Sequence, residues 1–365
     1  MLKRWDMCFD RLSTNGKSLI FSIFHPFTLS LSKGERRIFQ QPARNQIRFL
    51  LALSLLYSFV PTDVAAELVR FAIPSRSVSV MPIIIALKEG FYRDEGMTVE
   101  VIHMSSQIAV TATVAGSVEF SSTPGPAVNA AVRGMSLKVI FVVGQRPLYD
   151  LITRPEIHSF GELKGKVLGL TSMGSLSDNL MRKILRKNGL EPDRDVALRV
   201  IGAENLQLAA LKKEVIAGVL FTVPYNFLAQ KEGFYRLAYA GDYEEAVMGG
   251  AVTTSRLLRE EPGKVLRFLR ATLKGLRFYR SQKAPSIRRM GEFLKIEDSE
   301  FLGRIYDYHR ATLTEAGSIS PALMAQLIED ARRFAKIERE VKKEEVFDFS
   351  AAEKAADEIK KGEIR

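Results

Sequence analysis

Short apolar runs and amphipathic segments alternate along the chain from Val69 to Tyr225. Val69–Ile73, Thr98–Ile102, Val118–Ser121, Leu137–Val143, Val167–Leu170 and Ala217–Phe221 are apolar runs of strand length. Between them, apolar positions recur at helical spacing with written stops. Pro82 opens the helix IIIALKEG ending at Gly90, a second helix follows Ser105–Gln107 up to Gly116, and AVNAAVRG closes at Gly134. Pro224 opens another that runs to Gly233, and Tyr239 to Ala251 reads as a Gly-rich return link. Strands alternating with helices of this length predict right-handed crossovers and a mostly parallel sheet, an α/β fold. From Ser255 the pattern is almost wholly helical: PGKVLRFLRATLKGLRFYRSQ, then Ser286–Lys295, Ser299–Leu313, Pro321–Ile337 and a last helix, Ser350–Lys361.

The stretch KVLGLTSMGSLSDNLMRKILRKNGL, Lys166 to Leu190, shows the unit most clearly. Leu180, Met181, Ile184 and Leu185 share one helical face. Ser175 with Asp178 three residues on resembles a capping box, Ser177 is an equally good N-cap, and Gly189 supplies the left-handed stop. A helix start has unpaired N–H groups and about half a positive charge, so the loop Ser172–Ser177 can hold a carboxylate, sulfonate or phosphate. It is neither a Walker loop nor a G-x-G-x-x-G fingerprint. In open parallel sheets the ligand lies beyond the carboxyl ends of the strands. Several hydroxyl-bearing loops are expected at that edge. The segments IIIALKEGFYRDEGMTVEVI and LMRKILRKNGLEPDRDVALRVI share one grammar of helix, Gly stop, acidic link and strand, which predicts two similarly built lobes.

Composition narrows the classes. With 365 residues, 46% of them hydrophobic, the chain can bury one large core or two ordinary ones. The net charge of +11 is dispersed, with 9 basic against 4 acidic residues in positions 1–66, and no basic block alternates with aromatics. Nucleic acid is therefore not an expected partner. The only cysteine, Cys8, leaves the body without disulfide, thiolate metal ligand or cysteine nucleophile. Residues 1–43 lack periodicity and are read as a leader without fixed structure, or as the product of a start assigned too far upstream. Residues 44–66 read as a signal peptide: Arg44 and Arg48 precede the apolar run Phe49–Val60, Pro61 breaks it, and Val64-Ala65-Ala66 suits cleavage before Glu67. That run is short of the ~20 residues that span a bilayer.

Four stretches together resemble the periplasmic substrate-binding proteins of nitrate/sulfonate/taurine-class ABC importers, SsuA-like proteins and thiamine-pyrimidine-precursor binders included: VRFAIPSRSVSVMPIIIALKEGFYRDEGMTVEVI, GSVEFSSTPGPAVNAAVRGM, ELKGKVLGLTSMGSLSDNLMRKIL and IAGVLFTVPYNFLAQKEG. The resemblance implies a two-lobed periplasmic-binding-protein type II fold, with mostly parallel sheets, flanking helices and a helical C-terminal part. Lobe one would be 67–145 and 246–345, lobe two 146–245, and 346–365 a C-terminal helix. It implies an extracytoplasmic, monomeric binder that passes a small anionic or polar molecule to an ABC permease with its ATPase, with no cofactor. Carried over by position, the ligand-binding residues would be Arg76, Ser77, Ser79, Ser122, Thr123, Pro124, Ser172, Gly174, Ser175, Ser177, Thr222 and Tyr225, with Ser105–Gln107 less central. Relatives carry an aromatic and an acidic residue before the Pro-Tyr pair. Here Thr222 and Val223 stand there, which favours an anionic or neutral ligand with Arg76 or Arg146 as charge partner. Tyr149 and Tyr225 can stack on a ligand ring or pack at the hinge.

Catalytic readings find little support in the residues. His103, His158 and His309 are isolated and match no metal-ligand spacing, and no Ser nucleophile motif occurs. Two rival readings of the same fold remain: an enzyme like the thiamine-pyrimidine synthases, whose cysteine-rich motif the body lacks, and a ligand-sensing partner of a membrane receptor.

Overall fold

Two five-stranded sheets are formed in the computed structural model, which describes residues 66–362. The leader, nearly all of the signal-peptide reading and the last three residues lie outside the described residues. The first sheet is built from β1 (Glu67–Ile73), α1 (Met81–Lys88), the short α2 (Phe91–Asp94), β2 (Met97–His103), α3 (Ser106–Ala115), β3 (Phe120–Ser121), α4 (Pro124–Val132) and β4 (Leu137–Gly144). The chain then passes to β5 (Tyr149–Thr153), β6 (Val167–Leu170), α5 (Leu176–Lys187), β7 (Ala197–Val200), α6 (Glu204–Lys212), β8 (Gly218–Thr222), α7 (Tyr225–Lys231) and β9 (Tyr235–Tyr239). It returns as β10 (Met248–Thr254) and continues through α8 (Ser255–Glu260), α9 (Pro262–Ser281), α10 (Lys283–Leu294), α11 (Ser299–Arg310), α12 (Pro321–Ala335), α13 (Lys343–Val346) and α14 (Ser350–Lys360).

The strand orders are β2-β1-β3-β10-β4 and β7-β6-β8-β5-β9. In each sheet four strands share one direction and a single strand, β10 or β5, runs against both neighbours. Both exceptions are the strands laid down immediately after the chain changes sheets. A four-residue link carries the carboxyl end of β4 at Gly144 to Tyr149, so β5 has to enter the second sheet from the carboxyl edge of its parallel strands. β10 re-enters the first sheet in the same way, with Met248 opposite Gly144. The two links lie side by side, Ala246 N–H donating to Gln145 O at 3.1 Å. The fold is the expected two-lobed α/β architecture.

β5, β9, β10 and α6 were not foreseen as separate elements. β9 (YRLAY) has an exposed, charged residue inside it, and β10 (MGGAVTT) begins with two glycines that read as link rather than strand. The first core is aromatic: the rings of Phe120 and Phe268 stack at 4.0 Å, and Tyr92 lies 5.2 Å from Phe268. The second is aliphatic, with Leu168, Leu170, Leu180, Met181, Ile184 and Leu185 all buried. Each such side chain contributes about 1.5–3 kcal/mol on burial. Of the helical tail, α12 packs Leu323, Ile328 and Ala331 into a cluster with Ala127, Val128 and Val132 of α4. The terminal α14 lies along α9, where Arg270 bridges Glu358 and Glu95 at 2.7 Å each.

Candidate functional site

β1 and β3 are parallel neighbours, so the turns after them emerge at one edge of the first sheet. There Ser77 Oγ accepts from the Ser79 N–H at 3.3 Å and lies 3.1 Å from Ser79 Oγ, capping a short turn over Val78–Val80. Ser122 is nearly buried, and its Oγ accepts from Gly250 N–H at 3.3 Å. Gly249 sits at φ +64°, where a Cβ would fall 2.0 Å from Ser79 O. Only glycine fits that combination of left-handed backbone and close approach. Ser79, Ser122 and Gly249–Gly250 are thus brought together by β10. Thr123 turns its hydroxyl inward to Ser121 Oγ at 2.9 Å, which in turn accepts from Thr113 Oγ1 at 2.9 Å. Pro124 begins α4, and with Pro126 it deprives that helix start of two N–H donors. Arg76 lies exposed in the bend after β1, and Ser105 precedes α3 without capping it.

At the second sheet, β6 and β8 are parallel neighbours, and their following turns share one edge. Ser175, not Ser177, is the N-cap of α5: its Oγ accepts from Asp178 N–H at 3.2 Å and donates to Ser172 O at 2.8 Å. Asp178 reaches back one residue further than in a simple capping box and accepts from Gly174 N–H at 2.8 Å, while Arg182 holds its other oxygen at 2.7 Å. Ser177 is buried behind the cap, 2.9 Å from Ser175 Oγ. Ser172, Met173 and Gly174 are exposed, and the N–H groups of Leu176 and Ser177 have no helical acceptor. This helix start therefore keeps donors for an incoming oxygen atom.

One functional group at this edge was not foreseen. Glu204, the first residue of α6, accepts from Thr222 N–H at 2.7 Å and from Thr222 Oγ1 at 2.9 Å. Desolvation by burial raises its pKa above the usual carboxylate value, offset by those two hydrogen bonds, and no cation pairs with it among the described residues. Tyr149, opposite Thr222 in the β5–β8 ladder, is raised beyond the usual tyrosine range by burial and by the Glu204 charge. Tyr225 stacks on Phe221 at 6.1 Å. A carboxylate from the start of α6 thus lies beside Thr222, and no spacing rule links positions 204 and 222.

A second unforeseen group lies behind the links. Asp150 is buried on β5 and accepts from Asn226 Nδ2 at 2.6 Å, Arg236 Nε at 2.8 Å and Tyr308 Oη at 3.1 Å. Burial raises its pKa, and the three donors and the Arg236 charge oppose that. Tyr308 belongs to α11, so the carboxylate joins the second sheet to the helical tail. Phe227 meets the same tail edge-on, 5.5 Å from Tyr308 and 6.2 Å from Phe301. Val223 and Phe227 are buried in the cluster that holds Val78 and Val80. His309 is buried against Tyr279 Oη at 3.0 Å, and no group of three metal-ligating side chains occurs among the described residues.

The site residues expected from sequence therefore fall into two groups, one per sheet edge. Ser77, Ser79 and Ser122 belong to the first, Ser172–Ser177, Thr222 and Tyr225 to the second, while Thr123 faces the core and Arg76 the surface.

The architecture is shared with solved proteins at low identity. The periplasmic aliphatic sulphonate binding protein SsuA from Escherichia coli aligns with TM-score 0.63 and 18% identity over 74% of this chain and 87% of that one. The alkanesulfonate-binding protein SsuA from Xanthomonas axonopodis pv. citri, bound to MOPS, aligns with TM-score 0.57 and 18% identity over 75% and 93%. A mutant of the desulfurization enzyme DszB in complex with biphenyl-2-sulfinic acid aligns with TM-score 0.63 and 14% identity over 80% and 99%. No curated protein sequence gives a significant match. The profile described as NMT1/THI5 like matches residues 77–284. That span takes in Ser77–Ser79, Ser122–Pro124, Ser172–Ser177 and Thr222–Tyr225 alike, and the chain belongs to the NMT1/THI5-like family.

Proposed function

We propose that the chain is an extracytoplasmic solute-binding protein that captures a small anionic or polar organic molecule between its two lobes and delivers it to an ABC permease with its ATPase. Lobe one comprises 67–145 and 246–345, lobe two 146–245, and the links 145–148 and 240–247 act as hinges. The observation that carries this reading is the shared placement of both links at the carboxyl ends of the parallel strands, which makes the two loop-bearing edges neighbours. The SsuA structures, both named as sulfonate-binding and the one from Escherichia coli as periplasmic, support it through the shared fold. The α5 start offers donors to an acidic or carbonyl oxygen, and Glu204 offers an acceptor to an N–H or O–H on the same molecule. Ser77, Ser79, Ser122 and Arg76 would close over it from lobe one. The protein works as a monomer in the periplasm after removal of its signal peptide.

Differential scanning fluorimetry against sulfonates, carboxylates, phosphates and heteroaromatic amines tests the proposal. A ligand with a Kd of about 1 μM at a hundredfold excess adds about 2.7 kcal/mol. A broad panel without any shift, together with native mass spectrometry showing no co-purified small molecule, would count against binding. The fold of DszB favours a second reading, an enzyme acting on an organosulfur or related compound. Turnover of the ligand found by the screen, followed by mass spectrometry, decides for it; recovery of the ligand unchanged decides for the receptor.

A further inference from the structure

Helix α12 carries two stripes. Leu323, Ile328 and Ala331 are buried against α4 and β4, which fixes the helix to the first lobe. Gln326, Asp330 and Phe334 follow one another at four-residue intervals, so they form a second row along the same helix. Each of the three touches the other half of the molecule. Gln326 Nε2 donates to Glu244 Oε1. Asp330 lies 3.9 Å from the Nζ of Lys183 on α5, and the same ammonium is 2.6 Å from Glu244. The Phe334 ring lies over Gly174, where a Cβ would come within 3.2 Å of Cε2. From the lobe-one side the Arg133 guanidinium faces the Phe334 ring at 6.0 Å.

This row has features that burial alone does not account for. Phe334 is 57% exposed and Met173 beside Gly174 is 62% exposed, so the ring is not filling a core. It rests instead on the one backbone position of the Ser172–Ser177 loop that has no side chain and has φ +71°. The contact at 326 falls on Glu244 in the second link, and those at 330 and 334 fall on α5 and on the Ser172–Ser177 loop, so the row runs from the link to that loop.

The geometry points to the Gln326–Asp330–Phe334 row as a latch: it holds lobe two against lobe one at the loop that receives the ligand, and so sets how far the lobes stand open before any ligand arrives. The inference rests on the two-lobe reading above and adds a position for its control. Since bound ligand and Phe334 would both lie against the same loop, weakening the latch raises the population of open molecules and lowers apparent affinity by the fraction of molecules lost from the competent state.

The test uses the full chain without ligand. In a Cys8→Ser background, spin labels are attached at Leu68→Cys and Val215→Cys, exposed positions on β1 and just ahead of β8. Pulsed electron–electron distance measurements compare this protein with versions carrying Phe334→Ala plus Asp330→Lys, two exposed side chains whose replacement leaves the buried stripe untouched. The expected result is one dominant distance in the parent and a new, longer population in the variant. Superimposable distributions would overturn the latch. Because no ligand is present, that outcome leaves solute binding standing, and an empty ligand screen leaves the latch standing.

Discussion

At the first sheet's edge the hydroxyl groups are largely spent on the protein itself: Ser122 and Thr123 are 6% and 1% exposed, and Ser79 is pressed against Gly249. At the second sheet's edge, Ser172, Met173 and Gly174 stand in solvent around a helix start that is capped once, by Ser175. Both edges arise from the same unit of strand, loop and helix, yet one is shaped by close backbone packing and the other by an open loop with free donors. The difference follows from what lies behind each. The first edge is backed by the re-entering β10 and an aromatic core, whereas Thr171–Ser177 is held by the start of α5, by a hydrogen bond from Gln207 to Thr171 at 3.1 Å and by the exposed Phe334 ring over Gly174. A rigid surface facing an adaptable one suits capture of a small molecule, since the ordering cost falls mainly on one side.

The sharpest way to break this contrast is Gly249→Val. A branched side chain at φ +64°, aimed at a backbone carbonyl, is expected to destabilise the protein by about 3 kcal/mol or more and to displace the Ser77–Ser79 turn. Urea unfolding measures the loss. If the midpoint is unchanged, the first edge is less rigid than described. Asp150→Ala comes next. Removing the acceptor leaves the buried Asn226 amide and the half-buried Tyr308 hydroxyl without their partner, while the exposed Arg236 turns to water, at a cost of about 2–4 kcal/mol. Because that carboxylate ties β5 to α11, hydrogen exchange in this variant should rise in both β5 and α11; a rise in β5 alone would deny the tie.

Acid should separate the two halves. Burial pushes the His309 imidazole down to about 3 from its usual 6.5. The unfolded chain therefore binds a proton between those values that the folded chain does not. The stability His309 contributes is present in full above pH 6.5 and is lost progressively as pH falls toward 3, on the order of a few kcal/mol. Hydrogen exchange at pH 4.5 should then accelerate in α9 and α11 before α5 and β6, and His309→Gln should abolish that order. The smallest effect is that of Ser175→Ala, which removes the α5 cap and is expected to cost about 1 kcal/mol while loosening only the second edge. Amide exchange at Asp178 and Asn179 reports it, and protection equal to the parent's would show that Asp178 alone keeps the loop in place.

Much of the fold was legible because strands and helices are local statements. Val167–Leu170 and Leu176–Lys187 follow from apolar spacing, a Ser cap and a Gly stop within twenty-odd residues. Site residues were legible only as hydroxyl-bearing turns. The direction of Thr123 was not legible, since its position at a strand end says nothing about which way its Oγ1 points; the hydroxyl goes to Ser121. Of the two N-caps the sequence offered, Ser175 is the one used, and Ser177 is buried behind it. Glu204 was missed because its partner lies 18 residues away with no periodic signal, and Asp150 because Tyr308 is 158 residues away.

What the sequence determined by itself was the list of parts: seven of the ten strands, most of the helices, the stops between them and the recurrence that makes two lobes, all set by side-chain periodicity and backbone preferences within one element. What only the tertiary structure decided was pairing at a distance. It placed β5 and β10 antiparallel inside otherwise parallel sheets, put a carboxylate from α6 onto Thr222, and laid Phe334 over Gly174. These depend on which surfaces meet once apolar faces are buried, and that outcome belongs to the whole chain rather than to any stretch of it.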